Sequence, residues 1–416
     1  MNKETEYKFI TFLFSIIPIT IIIGQAVSLI NIFLISIYII IEIVRSKKLD
    51  FIKNLSFILL IAIYFYLLFN TFISLDQSIS LLRNFGFLRF IFLFIAINYF
   101  FYTYKNQSFF LNIWLAVILI VIIDSYIEYI FGKNILGYGQ DVFYDRIVSF
   151  FKDEPIVAGY LNGFFFLILG YLFNSKKFKS NKIFIVCIFL SFIFLICVSL
   201  TGERSNTIKA IIGLSIFFFL NNKIRIKYRI LTFLSLMLII ITMISNLDYL
   251  KIRYYDNVIN PLISSDKREK FLNNNIYINH YKSGYAVFKN YPLFGVGNKN
   301  YRIETNKNRF TKKNYFPDTH PHQIYLEFLS EHGLVGTIFL LSIIFFLIFK
   351  NIKNCIVSKN SLQLGAFSFL MVNFLPILPS GAFFSDFNIT LFFINFSVFI
   401  ACNPSSNIFN NKVNDN

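Results

Sequence analysis

The sequence predicts an all-α polytopic membrane protein, and three observations predict it. Of 416 residues, 56% are hydrophobic and only 15% charged, whereas ordinary soluble domains are about 25% charged. Phenylalanine alone supplies 56 residues, and the mean hydropathy is +0.62. Apolar runs recur along the chain at about 20 residues, the length of helix that crosses a hydrocarbon core. This composition excludes a disordered chain, a collagen-like fibre and an ordinary soluble enzyme.

About twelve spans are predicted, over 9–24, 27–44, 55–74, 86–103, 108–131, 156–174, 183–200, 206–220, 230–246, 325–349, 361–379 and 384–402. The first two share one run, split near Gly24-Gln25. Alternate loops hold Arg45, Lys47, Lys48 and Lys53, then Lys105, then Lys176, Lys177, Lys179 and Lys182. The same set continues with Lys223, Arg225, Lys227 and Arg229, and with Lys350, Lys353 and Lys359. The positive-inside rule puts these loops, and with them both termini, in the cytoplasm. The layout is then spans one to nine over 1–246, a large outer loop over 247–322, three spans over 323–402, and a polar tail over 403–416 expected to be disordered.

The chain carries net +17 (39 minus 22). Segment 248–321 alone carries 13 Lys/Arg and 6 Asp/Glu, net +7. A loop of more than about 60 residues escapes the positive-inside rule. Its basic balance fits a phosphate or an anionic lipid, or simply a solvated surface; nucleic acid is not expected. The four cysteines, Cys187, Cys197, Cys355 and Cys402, sit in or beside apolar runs without a CxxC pair, so no disulfide framework is expected. No cleavable signal is expected after MNKETEYK.

Four places carry chemistry. All four histidines (His280, His320, His322, His332) lie around the outer loop and its return into the membrane. His320-Pro-His322 looks like a ligand pair, but the spacing lacks the i, i+4 helical pattern and no Cys is near, so no metal is expected. Pro321 is placed to start a helix, with Tyr325, Phe328 and Leu329 on one face and Gly333 and Gly336 spaced for close packing. His322 falls at that helix's N-terminus, as a base near neutral pH or as an interfacial cap. His332, beside Gly333, reads as structural.

In the turn Ser199-Leu-Thr-Gly-Glu-Arg-Ser-Asn206, Glu203 and Arg204 sit at the membrane surface, where charged groups face a cavity or a partner. Arg204 offers a planar fork for phosphate oxygens; an ion pair of Glu203 with a basic residue is the structural alternative. Asp124 and Glu128 share a helical face and either do acid/base work or anchor the following loop by pairing with Arg146. Arg89, a turn inside span four, holds a phosphate or pairs with an acid. Gly295-Val-Gly297-Asn lacks the third glycine and the Lys-Ser/Thr of a nucleotide loop.

Together these pieces resemble the O-antigen ligase and polymerase superfamily of bacterial envelope enzymes. Thr201-Gly-Glu-Arg-Ser205 is similar to the family's T-G-x-R turn. Tyr291-Pro-Leu-Phe-Gly-Val-Gly-Asn298 resembles its P-L-x-G-x-G segment. His322-Gln323, nine residues, then Gly333-Leu-Val-Gly336 resembles its H-[NSQ]-x9-G-x-x-G pattern. Arg146 to Asp153-Glu154 and Gly159-Tyr160-Leu161 resembles a segment of polymerase-like members, although Val148-Ser149 stands where related sequences often carry Ser-Gly.

The resemblance implies a fold similar to multi-span glycosyltransferases with lipid-linked donors, in the bacterial inner membrane. It implies a glycan on undecaprenyl diphosphate as donor and lipid A–core, or a second lipid-linked repeat unit, as acceptor, with no cofactor and no metal. His322 is the expected base and Arg204 the expected partner of the diphosphate. Glu203, Arg302, Arg89, Arg146 and Tyr325 are expected to bind substrate, and Tyr281, Tyr285 and Tyr301 are further aromatics for stacking on sugar. Ligase activity is the first expectation, polymerase the second, and a transporter without chemistry the third.

Overall fold

The computed structural model describes residues 3–104, 106–139, 146–152, 154–174, 180–308, 310–312 and 314–410; Lys105, Asp153, Lys176, Lys177 and Lys179 lie outside them. Each apolar run named above is helical over most of its length, and there is no sheet among the described residues. The first half consists of α1 (Lys3–Ser15), α2 (Ile17–Ile23), α3 (Gln25–Ser46), α4 (Leu55–Phe72), α5 (Gln77–Gly86), α6 (Leu88–Thr103), α7 (Ser108–Phe131), α8 (Val157–Asn174), α9 (Ser180–Leu200), α10 (Arg204–Leu220) and α11 (Ile226–Asn246). Short helices fill the large loop: α12 (Asp248–Leu250), a π-helical stretch over Lys251–Ile259, α13 (Asn260–Ile263), α14 (Ser265–Asn274), α15 (Ile276–Asn290) and α16 (Tyr301–Lys307). The chain then returns through α17 (Ile324–Val357), α18 (Ser361–Asn373) and α19 (Asp386–Ala401).

Among the described residues eight helices are long and apolar enough to cross a membrane, α5 and α6 counting as one, and the bent pair α1–α2 makes a ninth. Three of the twelve expected spans are shorter: α10 with 17 residues, α18 with 13 and α19 with 16. Burial explains how short helices are tolerated. Nearly every residue of α18 and α19 is buried against protein, so neither must match the full hydrocarbon thickness. In the most apolar stretch of α8, 78% is buried; in α11, only 11%, which makes α11 a lipid-facing helix at the rim. Centre and rim are joined by ring stacking, as where Phe165 lies flat on Phe194 at 3.8 Å between centroids.

The expected span 361–379 stops at Asn373. Pro376 and Pro379 follow, and proline removes the amide that would extend a helix. The resulting irregular segment, 374–385, belongs to the end of the bundle that also carries 74–76, 201–203 and the large loop. Leu75 N–H donates to Val296 O at 3.1 Å, and Ser380 N–H to His322 O at 2.9 Å. The other end gathers different loops: Glu6 accepts from Arg45, and Asn222 donates to Ile356 O at 3.2 Å. Residues 403–410, part of the expected disordered tail, fold back there. Phe409 lies 5.1 Å from Phe51, and Asn407 donates to Asn98 O at 3.0 Å.

Two of the sequence motifs form one lock. Val296 and Gly297 N–H donate to Ser330 and Glu331 O, both at 2.9 Å; Leu334 and Val335 N–H donate back to Pro292 and Leu293 O at 2.8 and 3.1 Å. Gly333 is therefore not a helix-packing glycine. It interrupts α17 at φ 63, ψ −169, and a Cβ there would lie 2.4 Å from Leu293 C. Gly295, at φ 69, lies equally close to Glu331 C. Only a residue without Cβ lets two backbones approach in this way.

Candidate active site

The first wall of the site is the turn between α9 and α10. Thr201 Oγ1 donates to Val198 O at 2.7 Å and accepts from Glu203 N–H at 3.2 Å, which folds the chain back on itself. Gly202 takes φ 73, and a Cβ there would meet Tyr249 Oη at 2.2 Å. The Glu203 carboxylate accepts from Ala158 N–H at 2.7 Å and from Asn206 Nδ2 at 2.7 Å, tying the start of α8 to the start of α10. Burial pushes its pKa up to about 7, against those hydrogen bonds and the charge of Arg146. The alternative of an ion pair is thus not what holds Glu203; backbone and amide donors do. Arg204 Nη1 donates to Arg253 O at 3.2 Å, and no carboxylate pairs with it among the described residues. Lys209 follows on the same helix.

The second wall is 316–323. Ser283 Oγ accepts from Phe316 N–H at 3.0 Å and from Tyr301 Oη at 2.7 Å, which fixes where this segment leaves the loop. His280 Nε2 and His322 Nε2 approach the same Asp318 Oδ2, at 3.4 and 3.3 Å. The His322 ring lies 4.5 Å from His280 and 4.1 Å from His320, centroid to centroid. His322 is not in the helix. It sits at φ 53, one residue before the cap Gln323, whose side chain accepts from Leu326 N–H at 2.8 Å. Pro321 therefore precedes the helix without starting it.

Burial, and then the charge of His322, lower the pKa of His320 to about 3. His320 is the neutral prop of the turn, with Nε2 at 3.2 Å from Ser380 O. Burial and His322 also lower the pKa of His280. Burial raises that of Asp318, but the Thr319 N–H and the two histidines outweigh it and hold the carboxyl below its usual range. Asp318 is thus the anion on which His280 and His322 converge. The ligand atoms of these three lie within 4.8 Å of one another and could hold a divalent cation. The same contacts serve as hydrogen bonds that orient His322.

The two walls face each other across a cavity of about 690 Å³, lined by Arg146, Glu203, Arg204, Lys209 and His322 among apolar residues such as Leu262, Leu272 and Leu391. Among the described residues three cations meet one carboxylate there, which favours an anion. Its size and apolar walls suit a lipid-borne ligand.

Of the residues singled out in the sequence, His322, Arg204, Glu203 and Arg146 come together in this cavity. Arg89 and Arg302 lie instead in a separate pocket with Arg83 and Lys299. Tyr325 lines neither and donates its hydroxyl to Phe374 O at 2.6 Å. Tyr281 lines the main cavity, whereas Tyr301 is buried against Ser283 and Tyr285 is exposed. His332 is fully buried, with Nδ1 at 3.4 Å from Tyr66 Oη.

Asp124 and Glu128 anchor the loop after α7, through backbone amides and not through Arg146. Asp124 accepts from Ile135 N–H at 3.0 Å; Glu128 accepts from Val148 and Ser149 N–H at 3.0 and 2.6 Å. Ser149 takes φ 46 there, the left-handed conformation that a glycine would adopt freely. The sequence reading passed over Asp318, His280 and Lys209 as site residues. The spacing of Asp318 and His322 was a usable signal, four residues apart in a histidine-rich stretch.

No curated protein matches the chain. Residues 188–341 match the family model described as O-Antigen ligase, a stretch that runs from α9 through the large loop into α17 and holds all three motifs. Residues 188–341 of this multi-pass membrane chain are therefore similar to the O-antigen ligase family, which supports the O-antigen ligase and polymerase superfamily that the three motifs resemble.

Proposed function

We propose that the protein transfers a glycan from undecaprenyl diphosphate to lipid A–core at the periplasmic face of the bacterial inner membrane, with both termini cytoplasmic. One observation carries the reading: unneutralised Arg204, with Arg146 and Lys209, shares an apolar-walled cavity with a carboxylate-oriented histidine. The acceptor hydroxyl attacks the anomeric carbon as the bond from that carbon to the diphosphate oxygen breaks. The electron pair leaves with the diphosphate, whose growing charge is met by Arg204, Arg146 and Lys209. The hydroxyl proton passes to His322. With Asp318 accepting at Nε2, the ring lone pair is on Nδ1, and the carboxylate stabilises the imidazolium that forms. Direct displacement inverts the anomeric configuration. Glu203, engaged with Ala158 and Asn206, keeps the arginine turn in place and is not an attacking group.

Deleting the gene and resolving lipopolysaccharide and lipid-linked glycans tests this. Core-only lipopolysaccharide with long polymer accumulating on the carrier is the expected result. Core capped by single repeat units, with no long polymer anywhere, would assign the chain to polymerisation instead. An unchanged pattern in both fractions would overturn both readings. Purified protein should consume lipid-linked donor equally with and without chelator; loss with chelator would turn His280, Asp318 and His322 into a metal site.

A further inference from the structure

The second pocket lies on the other side of the start of α19. Asp386 lines it, whereas the next residues, Phe387 and Asn388, line the main cavity. It measures about 320 Å³ and brings Arg83, Arg89, Lys299 and Arg302 around one carboxylate, that of Asp386. Arg83 Nη1 reaches Asp386 Oδ1 at 2.7 Å, and Arg89 bonds the same oxygen. One acid thus serves two guanidiniums and leaves Lys299 and Arg302 without a carboxylate in the pocket. The other acids whose charge acts on Lys299, Glu327 and Glu331, do not line the pocket and accept from the backbone of Phe383 and Tyr301 at 2.8 and 3.3 Å. The Nε atoms of Arg89 and Arg302 are buried without a protein partner. Like charges gathered this closely repel unless an anion joins them.

The pocket is rigidly built. Asn298 N–H and Nδ2 donate to Asn70 and Asn84 at 2.8 and 2.6 Å, and Asn300 Nδ2 donates to Ser80 at 2.7 Å. These bonds clamp the backbone that carries Lys299 and Arg302 onto α4 and α5. Its rim is apolar: Leu29, Ile79 and Leu82, with Leu82 81% exposed on α5 beside Leu81 and Phe85, which are also exposed. A basic floor with an exposed apolar rim fits a phosphoryl group carried on a hydrocarbon chain better than a free anion.

We propose that Arg83, Arg89, Lys299 and Arg302 form a second phosphate site, which holds the phosphoryl headgroup of one lipid-linked substrate while the main cavity holds that of the other. The assignment rests on the transfer reading above. Burial and the charges of Arg83 and Arg302 lower the pKa of Lys299, against the opposing charges of Glu331 and Glu327.

The test counts bound lipids. Native mass spectrometry of the purified full chain with undecaprenyl phosphate should show two bound molecules, and one in Lys299→Gln/Arg302→Gln. Titration with farnesyl phosphate should show about a tenfold or greater loss of the second affinity in that variant, the size expected for losing a charge-assisted contact. Arg302→Lys should recover part of it, and an unchanged melting temperature confirms that the variants are folded. Two lipids bound equally by wild type and double variant would overturn the proposal. So would inorganic phosphate competing as tightly as farnesyl phosphate, which would make this a free-anion site. His322→Ala should still bind two lipids. If His322→Ala keeps full transfer, the transfer mechanism fails while the lipid count stands on its own.

Discussion

Two turns face each other across the cavity, and they are held in opposite ways. The arginine turn, 199–207, is bent by local bonds, Thr201 to Val198 and Glu203 and Thr207 to Val198 at 3.2 Å, and braced from the large loop by Arg253 Nη2 on Gly202 O at 2.8 Å. The histidine turn, 316–323, is held from a distance. Its imidazole shares a carboxylate with His280 on α15, and its backbone is pinned to Ser380, 60 residues beyond His320. The bend of the first is set by bonds within ten residues of chain. The second is correct only when the large loop and the irregular segment after α18 are both in place. A group that bears developing charge needs only fixed position, whereas a base must also present one nitrogen in one tautomer.

The comparison breaks outright if the two turns do not both carry the reaction. Arg204→Ala and His322→Ala should each lower transfer by about a thousandfold or more, with protein level unchanged. Full activity of both in a complementation assay would overturn the site assignment. The remote support of the histidine turn is tested by Asp318→Asn, expected to lower kcat by about a hundredfold through misorientation of the ring while KM moves little. A pure KM effect would make Asp318 a substrate contact instead.

The bend of the arginine turn is tested by Gly202→Ala. Its left-handed φ and the close Tyr249 hydroxyl should make this substitution cost about 1–3 kcal/mol in unfolding experiments.

The smallest effect concerns Glu203, whose pKa is raised by burial from its ordinary value of 4.5 to about 7. Between those values the folded chain holds a proton that the unfolded chain has released, so this group's contribution to stability falls as pH rises through that window. The melting temperature should drop by about a few degrees between about pH 5 and about pH 8, and Glu203→Gln should flatten that drop. A variant that melts with the same pH slope as wild type would show that another group sets it.

Legibility followed range. Glu203 and Arg204 were found because a short polar turn between two apolar runs is visible within eight residues of sequence. His322 was found because histidines are scarce and clustered. Arg89 and Arg302 look alike in sequence to Arg204, yet they belong to a different pocket, and no local pattern separates them. Gly333 looked like a packing glycine because Gly-x-x-Gly is a helix-packing spacing; its partner, the 292–297 backbone, is not adjacent in sequence.

The amino-acid sequence by itself determined the class, the helical runs and the two turns that matter. Hydrophobicity and turn chemistry act over a few residues, and each such segment carries its own signal. Only the tertiary structure decided that Asp318 serves both His280 and His322, that α10, α18 and α19 can be short, and that the cations divide into two pockets. Those outcomes depend on which distant surfaces meet, and burial changes the charge balance of each group only once its neighbours have arrived.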